Sequence, residues 1–277
     1  MLLIEASRDQ TMPKLEFITD KIRPPQRLPR LSRLRLLRIL ERSVAAGTST
    51  IISGRAGTGK TSLVVDFALR FKGSVAWYKV DAPDAEPTIF FDYLIRSVQD
   101  CHPGFEIKSL GTPEEPNPDF MTWLADAFVY ELAENDATGP LLIVIEDLHL
   151  VSDADWLVPF FARLLPLLPP NVHLLITSRN LPTPPLWRLR SKQFLVVIDE
   201  ATLAFTRAEA ILLFESYGLT GDQASIALDH THGRAGALDE AATFLRKPLR
   251  EAKDVRESSV SARSTEGKIW RGRLAMD

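Results

Sequence analysis

Residues 52–63 read ISGRAGTGKTSL, and no other stretch limits the available folds as sharply. Gly54, Gly59, Lys60 and Thr61 fit the spacing G-x-x-x-x-G-K-[ST]. Glycines let a backbone wrap round an anion so that successive N–H groups point inward. The β-branched run STIIS precedes the loop and a helical pattern follows it, so a helix directs its positive end at the same place. In that setting Lys60 reaches the β- and γ-phosphates of a nucleoside triphosphate, and the Thr61 hydroxyl coordinates Mg2+.

A phosphate loop of this kind works with an acid at the end of a neighbouring strand. LLIVIEDLHL, residues 141–150, supplies Glu146 and Asp147 after an apolar run. One acid holds Mg2+ through water, and the next orients or deprotonates an attacking water. His149 is open to two readings, a contact at the phosphate end or a plain loop histidine. Between Lys60 and Glu146 lie a strand, 74–80, and two helical stretches. An extra strand can therefore lie between the P-loop strand and the acid strand, flanked by HLLITSR. Arg179 then stands at the carboxyl edge, where ligands bind. Its guanidinium matches phosphate geometry and can sense a γ-phosphate; the alternative is a surface ion pair.

The runs 49–53, 74–80, 141–145, 172–178 and 194–198 are apolar or β-branched, several without alternation, as in strands buried on both faces of a parallel sheet. Amphipathic stretches separate them, so the expected fold is a three-layer α/β P-loop NTPase with a five-stranded parallel sheet. Residues 1–29 read as an extended arm, because KIRPPQRLPR carries prolines that block a helix. Residues 30–200 form the expected core. It opens on a helix whose leucines share one face, with Arg35, Arg38 and Arg42 on another, which reads as a solvated face, the alternative being a surface for an acidic partner or DNA. GTPEEPNPD, 111–119, reads as a turn-rich loop. Residues 201–247 form a small helical subdomain: Thr206 and Glu209 make a capping box, and Gly218 closes that helix. Residues 248–277 read as a disordered tail.

Lys plus Arg number 33 against 36 acids, a net charge of −3, which gives nucleic acid no bulk attraction. The single cysteine, Cys101, excludes an internal disulfide and fits a reducing compartment. No run is long enough for a membrane span and the N-terminus lacks a secretory pattern, so the sequence reads as cytoplasmic. Without a helix-turn-helix partner for the basic helix face, the chain alone is expected to bind no specific DNA.

An ordered set of motifs carries a resemblance over roughly residues 15–245: KIRPP, RLRLL (33–37), GRAGTGKTSL, WYKVDAPDAEP (77–87), VIEDLHLV (144–151), ITSRNLP (176–182), LAFTRAEA (203–210) and HTHGRAGAL (230–238). Together they resemble the MalT-type signal-transduction ATPases (STAND class) of LuxR-family transcriptional regulators. The resemblance implies that Gly54, Arg55, Ala56, Gly57, Thr58, Gly59, Lys60, Thr61 and Ser62 bind phosphates and Mg2+. It implies that Glu146 and Asp147 are the metal and water acids and that Arg179 is the phosphate sensor. It also places Asp81 near the site and the Arg23–Pro24 arm on the adenine side. ATP, ADP and Mg2+ are the implied cofactors, with ADP holding a resting monomer and ATP plus an inducer giving an oligomer. Glu146–Asp147 stands where the family usually has Asp-Asp, and GRAGAL, 233–238, where it has GWPAGL. Nothing after Lys247 resembles the family's inducer-binding or DNA-binding parts. The expected function is thus a truncated ATP/ADP switch module with at most slow hydrolysis. The alternatives are a stand-alone AAA+ or origin-recognition-like ATPase and a decayed, inactive fragment.

Overall fold

The computed structural model describes residues 17–26, 28–107, 118–134, 139–181 and 184–246. The expected tail 248–277 and most of the loop 111–119 lie outside the described residues. Five strands form one parallel sheet: β1 (Ser49–Ser53), β2 (Ser74–Lys79), β3 (Leu141–Glu146), β4 (Val172–Ser178) and β5 (Leu195–Ile198), in the order β2-β3-β4-β1-β5. Parallel neighbours need long crossovers. These are α2 (Lys60–Ala68) after β1, α3 (Pro87–Cys101) and α4 (Pro118–Glu134) after β2, α5 (Leu157–Leu164) after β3 and α6 (Pro184–Ser191) after β4. α1 (Leu34–Ala45) precedes the sheet.

The strand pleat divides the core into two layers. Leu141, Ile143 and Ile145 of β3 join a cluster with Phe90, Phe128, Phe160 and Leu189 from α3, α4, α5 and α6. Leu142 and Val144 point the other way, among Leu36, Leu37 and Leu40 of α1 and Leu63 and Val64 of α2. A strand that buries both faces is apolar on both, which is why β3 and β4 run largely apolar and do not alternate. Each such leucine or phenylalanine stabilises the fold by roughly 1.5–3 kcal/mol relative to exposure.

The strand between the P-loop strand and the acid strand is β4, which follows the acid strand in the chain. Residues 74–79 do not occupy that slot; they form the edge beyond β3. Burial explains the assignment. β4 is buried along nearly its whole length, whereas β2 begins half-buried and ends on exposed Lys79.

After β5 the chain forms α7 (Glu200–Leu203), α8 (Arg207–Glu215), α9 (Gly221–Thr231) and α10 (235–246). Thr206 and Glu209 make the expected capping box on α8, and Thr220 and Gln223 make another on α9. The appendage has its own small core of Leu213, Phe214, Tyr217 and Leu238. Arg35, read as part of a solvated face, is drawn into this seam. Its Nη2 donates to the carbonyls of Thr202 and Ala204 and lies 3.4 Å from a Glu209 oxygen, while Arg38 and Arg42 stay exposed.

The arm is fastened near residues 17–22, where the Ile18 N–H donates to the Tyr93 hydroxyl at 3.1 Å and Ile22 is buried in the core. Buried Lys21 donates to Asp81 at 3.0 Å and to Asp84, and sits 4.0 Å from the centre of the Tyr93 ring. Among the described residues no helix is long and apolar enough to cross a membrane.

Candidate phosphate-binding site

The loop from Gly54 to Gly59 leaves β1 at the carboxyl edge of the sheet and runs into α2. Gly57 and Gly59 have φ of +77° and +87°, a conformation that only glycine adopts freely. The N–H groups of Ala56, Gly57, Thr58 and Gly59 donate to no other described residue. Four consecutive open donors at the start of a helix make an anion cradle. The Thr58 hydroxyl donates to the Arg55 carbonyl at 2.8 Å and braces the loop from within.

Lys60 is 8 % exposed and its Nζ folds back onto the carbonyls of Gly54 and Arg55. Burial pulls its pKa below the usual lysine value, and Arg179 adds to that, while Asp147 opposes it. A cation so placed has partners weaker than phosphate and gains by meeting one.

Thr61 donates its hydroxyl to Oε1 of Glu146, so the loop threonine and the end of β3 are in direct contact. Glu146 is 2 % exposed and its Oε2 is buried without a partner. Burial pushes its pKa up despite the Thr61 hydroxyl. A buried carboxylate oxygen with nothing to accept from suits a hard cation. No group of three or more His, Cys, Asp or Glu gathers among the described residues. Such a cation would therefore complete its shell from phosphate and water, as Mg2+ does. Asp147 follows in the left-handed region, φ 61°, and its N–H donates to the buried Thr177 hydroxyl of β4 at 3.0 Å. That turn brings its carboxylate back toward the loop.

His149 lies 3.9 Å from the Asp147 carboxylate through Nδ1, and both its ring nitrogens are buried without a partner. Burial lowers its pKa, with Asp147 opposing and Arg179 and Lys60 reinforcing, so the ring is neutral at pH 7. Its ring thus lies beside the Asp147 carboxylate, which leaves both readings of the residue open. Arg179 is exposed just beyond β4 and makes no hydrogen bond or ion pair with any described residue. Asp81 lies two residues past the end of β2, but its carboxylate is taken by Lys21.

On the other side of the loop a cavity of about 600 Å3 opens. The arm lines it with Pro25, Leu28, Pro29 and Arg30; the loop contributes Gly57, Gly59, Thr61 and Ser62; the appendage contributes Phe205, Ala235 and Asp239. Arg23 and Pro24 are exposed and lie outside this lining, so the arm meets the cavity from Pro25 onward. Arg33 also lines it and was not singled out by the sequence. Its Nη2 donates to the Leu203 carbonyl at 2.6 Å, but Nε and Nη1 are buried without partners. Burial brings its pKa down to about 10, so it stays charged at neutral pH. Its sequence signals were its place at the head of the RLRLL motif and one residue ahead of a helix.

No family model matches the chain. A stretch of 238 residues, 84 % of the chain, is 32 % identical to the HTH-type transcriptional regulator MalT of Yersinia enterocolitica, and equally to that of Yersinia pestis. The chain spans 26 % of the length of those relatives. Among solved structures, the Walker-type ATPase PABY2304 of Pyrococcus abyssi superposes with a TM-score of 0.51 at 13 % identity, covering 87 % of this chain and 78 % of that one, which establishes the fold. With its five-stranded parallel sheet and the loop that ends in Lys60 and Thr61, the chain has the fold of the P-loop NTPases and is similar in sequence to about a quarter of the MalT regulators.

Proposed function

We propose that the chain is an ATP/ADP-binding switch module of a MalT-like transcriptional regulator, with slow hydrolysis at most. The observation that carries this reading is the anion cradle of four open amides set between Lys60 and Thr61–Glu146 on one side and the 600 Å3 cavity on the other. The phosphates occupy the cradle, and the nucleoside occupies the cavity beside Arg33. Thr61, Glu146 and Asp147 hold Mg2+, which spreads the charge of the β- and γ-phosphates when bound. Asp147 and His149 face the terminal phosphate, and Arg179 reads it. Exchange of ADP for ATP then supplies the free energy that separates two states. Self-association belongs to the ATP state.

Titration with fluorescent ATP and ADP, with and without EDTA, tests the reading. Saturable binding of both nucleotides is expected, with Mg2+ strengthening ATP more than ADP. Glu146→Gln should remove most of that Mg2+ effect. Turnover of many ATP per minute would instead favour an enzyme or motor of the AAA+ class.

Arg179→Ala should weaken ATP by at least about 1 kcal/mol, roughly fivefold, and leave ADP unchanged, because only ATP offers a γ-phosphate. Equal losses for both nucleotides would make Arg179 a structural residue.

A further inference from the structure

The outer surface of the phosphate loop is gripped by the appendage at four of its residues. Arg234 donates from Nε and Nη2 to the Ala56 carbonyl, at 3.2 and 2.6 Å. Gly236, in the first turn of α10, gives its N–H to the Gly57 carbonyl at 2.7 Å. That donor would have no partner inside its own helix. Ala235 sits so close to Gly59 that a side chain there would meet its Cβ at 3.0 Å. Glu200, just after β5, accepts from the backbone N–H of Arg55 at 3.0 Å and from its Nε at 2.8 Å.

We propose that Arg234 and Glu200 are positioning residues for the phosphate loop, which hold its backbone in the nucleotide-receiving shape and so set how fast a β-phosphate leaves it. The proposal rests on the nucleotide-binding reading above and adds a control to it. The loop must present its N–H groups inward for the phosphate. It can do so only while its carbonyls point outward, and outward they meet Arg234 and Gly236. Inside, Lys60 bonds the carbonyls of Gly54 and Arg55 and the Thr58 hydroxyl bonds that of Arg55, which leaves the Ala56 and Gly57 carbonyls to the outer contacts. The outer contacts therefore decide whether the cradle keeps its shape. Glu200 adds a charged partner for Arg55 on the same rim, and its pKa is lowered chiefly by that arginine, so it stays ionised. Both arginines are exposed on the surface, and truncating them removes little packing.

Stopped-flow release of fluorescent ADP from the full chain tests this. Arg234→Ala should raise the ADP dissociation rate roughly tenfold, as loss of charge-assisted hydrogen bonds to one carbonyl implies. Glu200→Gln should raise it less, and Arg234→Lys should fall between Ala and wild type. Fluorescent AMP lacks the β-phosphate that the loop cradles, so its affinity should stay within twofold in every variant. Parallel losses of AMP and ADP would mean that Arg234 merely closes the cavity, and unchanged ADP release would overturn the proposal outright. Hydrogen exchange on the nucleotide-free protein gives a second readout. Arg234→Ala should speed exchange at residues 55–59 and leave β3 protected. If wild-type protein binds no ADP, the nucleotide reading fails, and the exchange result still decides whether the grip exists.

Discussion

Lys60→Ala reduces ATP and ADP affinity at least about a hundredfold, the scale expected when a buried ammonium that makes two charge-assisted contacts to phosphate is removed. The protein should remain folded. Among the described residues Nζ bonds the carbonyls of Gly54 and Arg55 alone, and burial disfavours its charge. Its loss therefore costs the fold little, and the melting temperature should hold within a few degrees. Fluorescent-nucleotide titration and circular dichroism on the same sample decide the matter. Affinity within threefold of wild type would remove the loop from the phosphate-binding role.

Gly233→Ala destabilises the protein by roughly 2–4 kcal/mol, the sum of left-handed backbone strain and overpacking. Gly233 has φ of +73°, and a Cβ there would lie 2.8 Å from both the N and the O of Phe205. Those are backbone atoms that cannot swing aside. The close approach exists because the Phe205 N–H donates to the Gly233 carbonyl at 2.8 Å, which pins the turn before α10. The same turn aims Arg234 and Ala235 at the phosphate loop, so the variant should also lose ADP affinity. Urea unfolding provides the number. A change below about 0.5 kcal/mol, within the range of ordinary surface substitutions, would show that the turn is not pinned as described.

Much of this was legible in the chain because it is local. The loop glycines, Lys60 and Thr61 carry their spacing with them, and the strands announce burial on both faces by the absence of alternation. Thr206 and Glu209 sit three residues apart and bond as their spacing requires. The strand order was not local. Composition shows that β4 is buried but does not say between which neighbours, and β2 was as good a candidate for the slot between the P-loop strand and the acid strand. Arg33 was not singled out either, since an arginine at the head of RLRLL, ahead of a helix, has no periodic partner. The grip on the loop joins Arg55 to a residue 145 positions away and Ala56 to one 178 away. Only the folded sheet brings those segments together. Arg35 was misplaced for the same reason: its spacing put it on a polar face, and the appendage reaches that face at Arg35 while Arg38 and Arg42 stay exposed.

The position of β1 in the sheet also governs when this domain can come into being during synthesis. Thr50 pairs with Leu175 and Ser49 with Leu195, so both neighbours of the phosphate-loop strand are made long after it. Until β4 is made Ile51 and Ile52 have no native strand partner, and until residue 198 has left the ribosome one edge of β1 stays open; such late, long-range closure is slow and exposed to misassembly. β2 and β3 can pair earlier. The loop that receives the nucleotide is thus among the last parts of the sheet to gain its shape, and a nascent chain released before β5 carries the phosphate-loop sequence without a phosphate site.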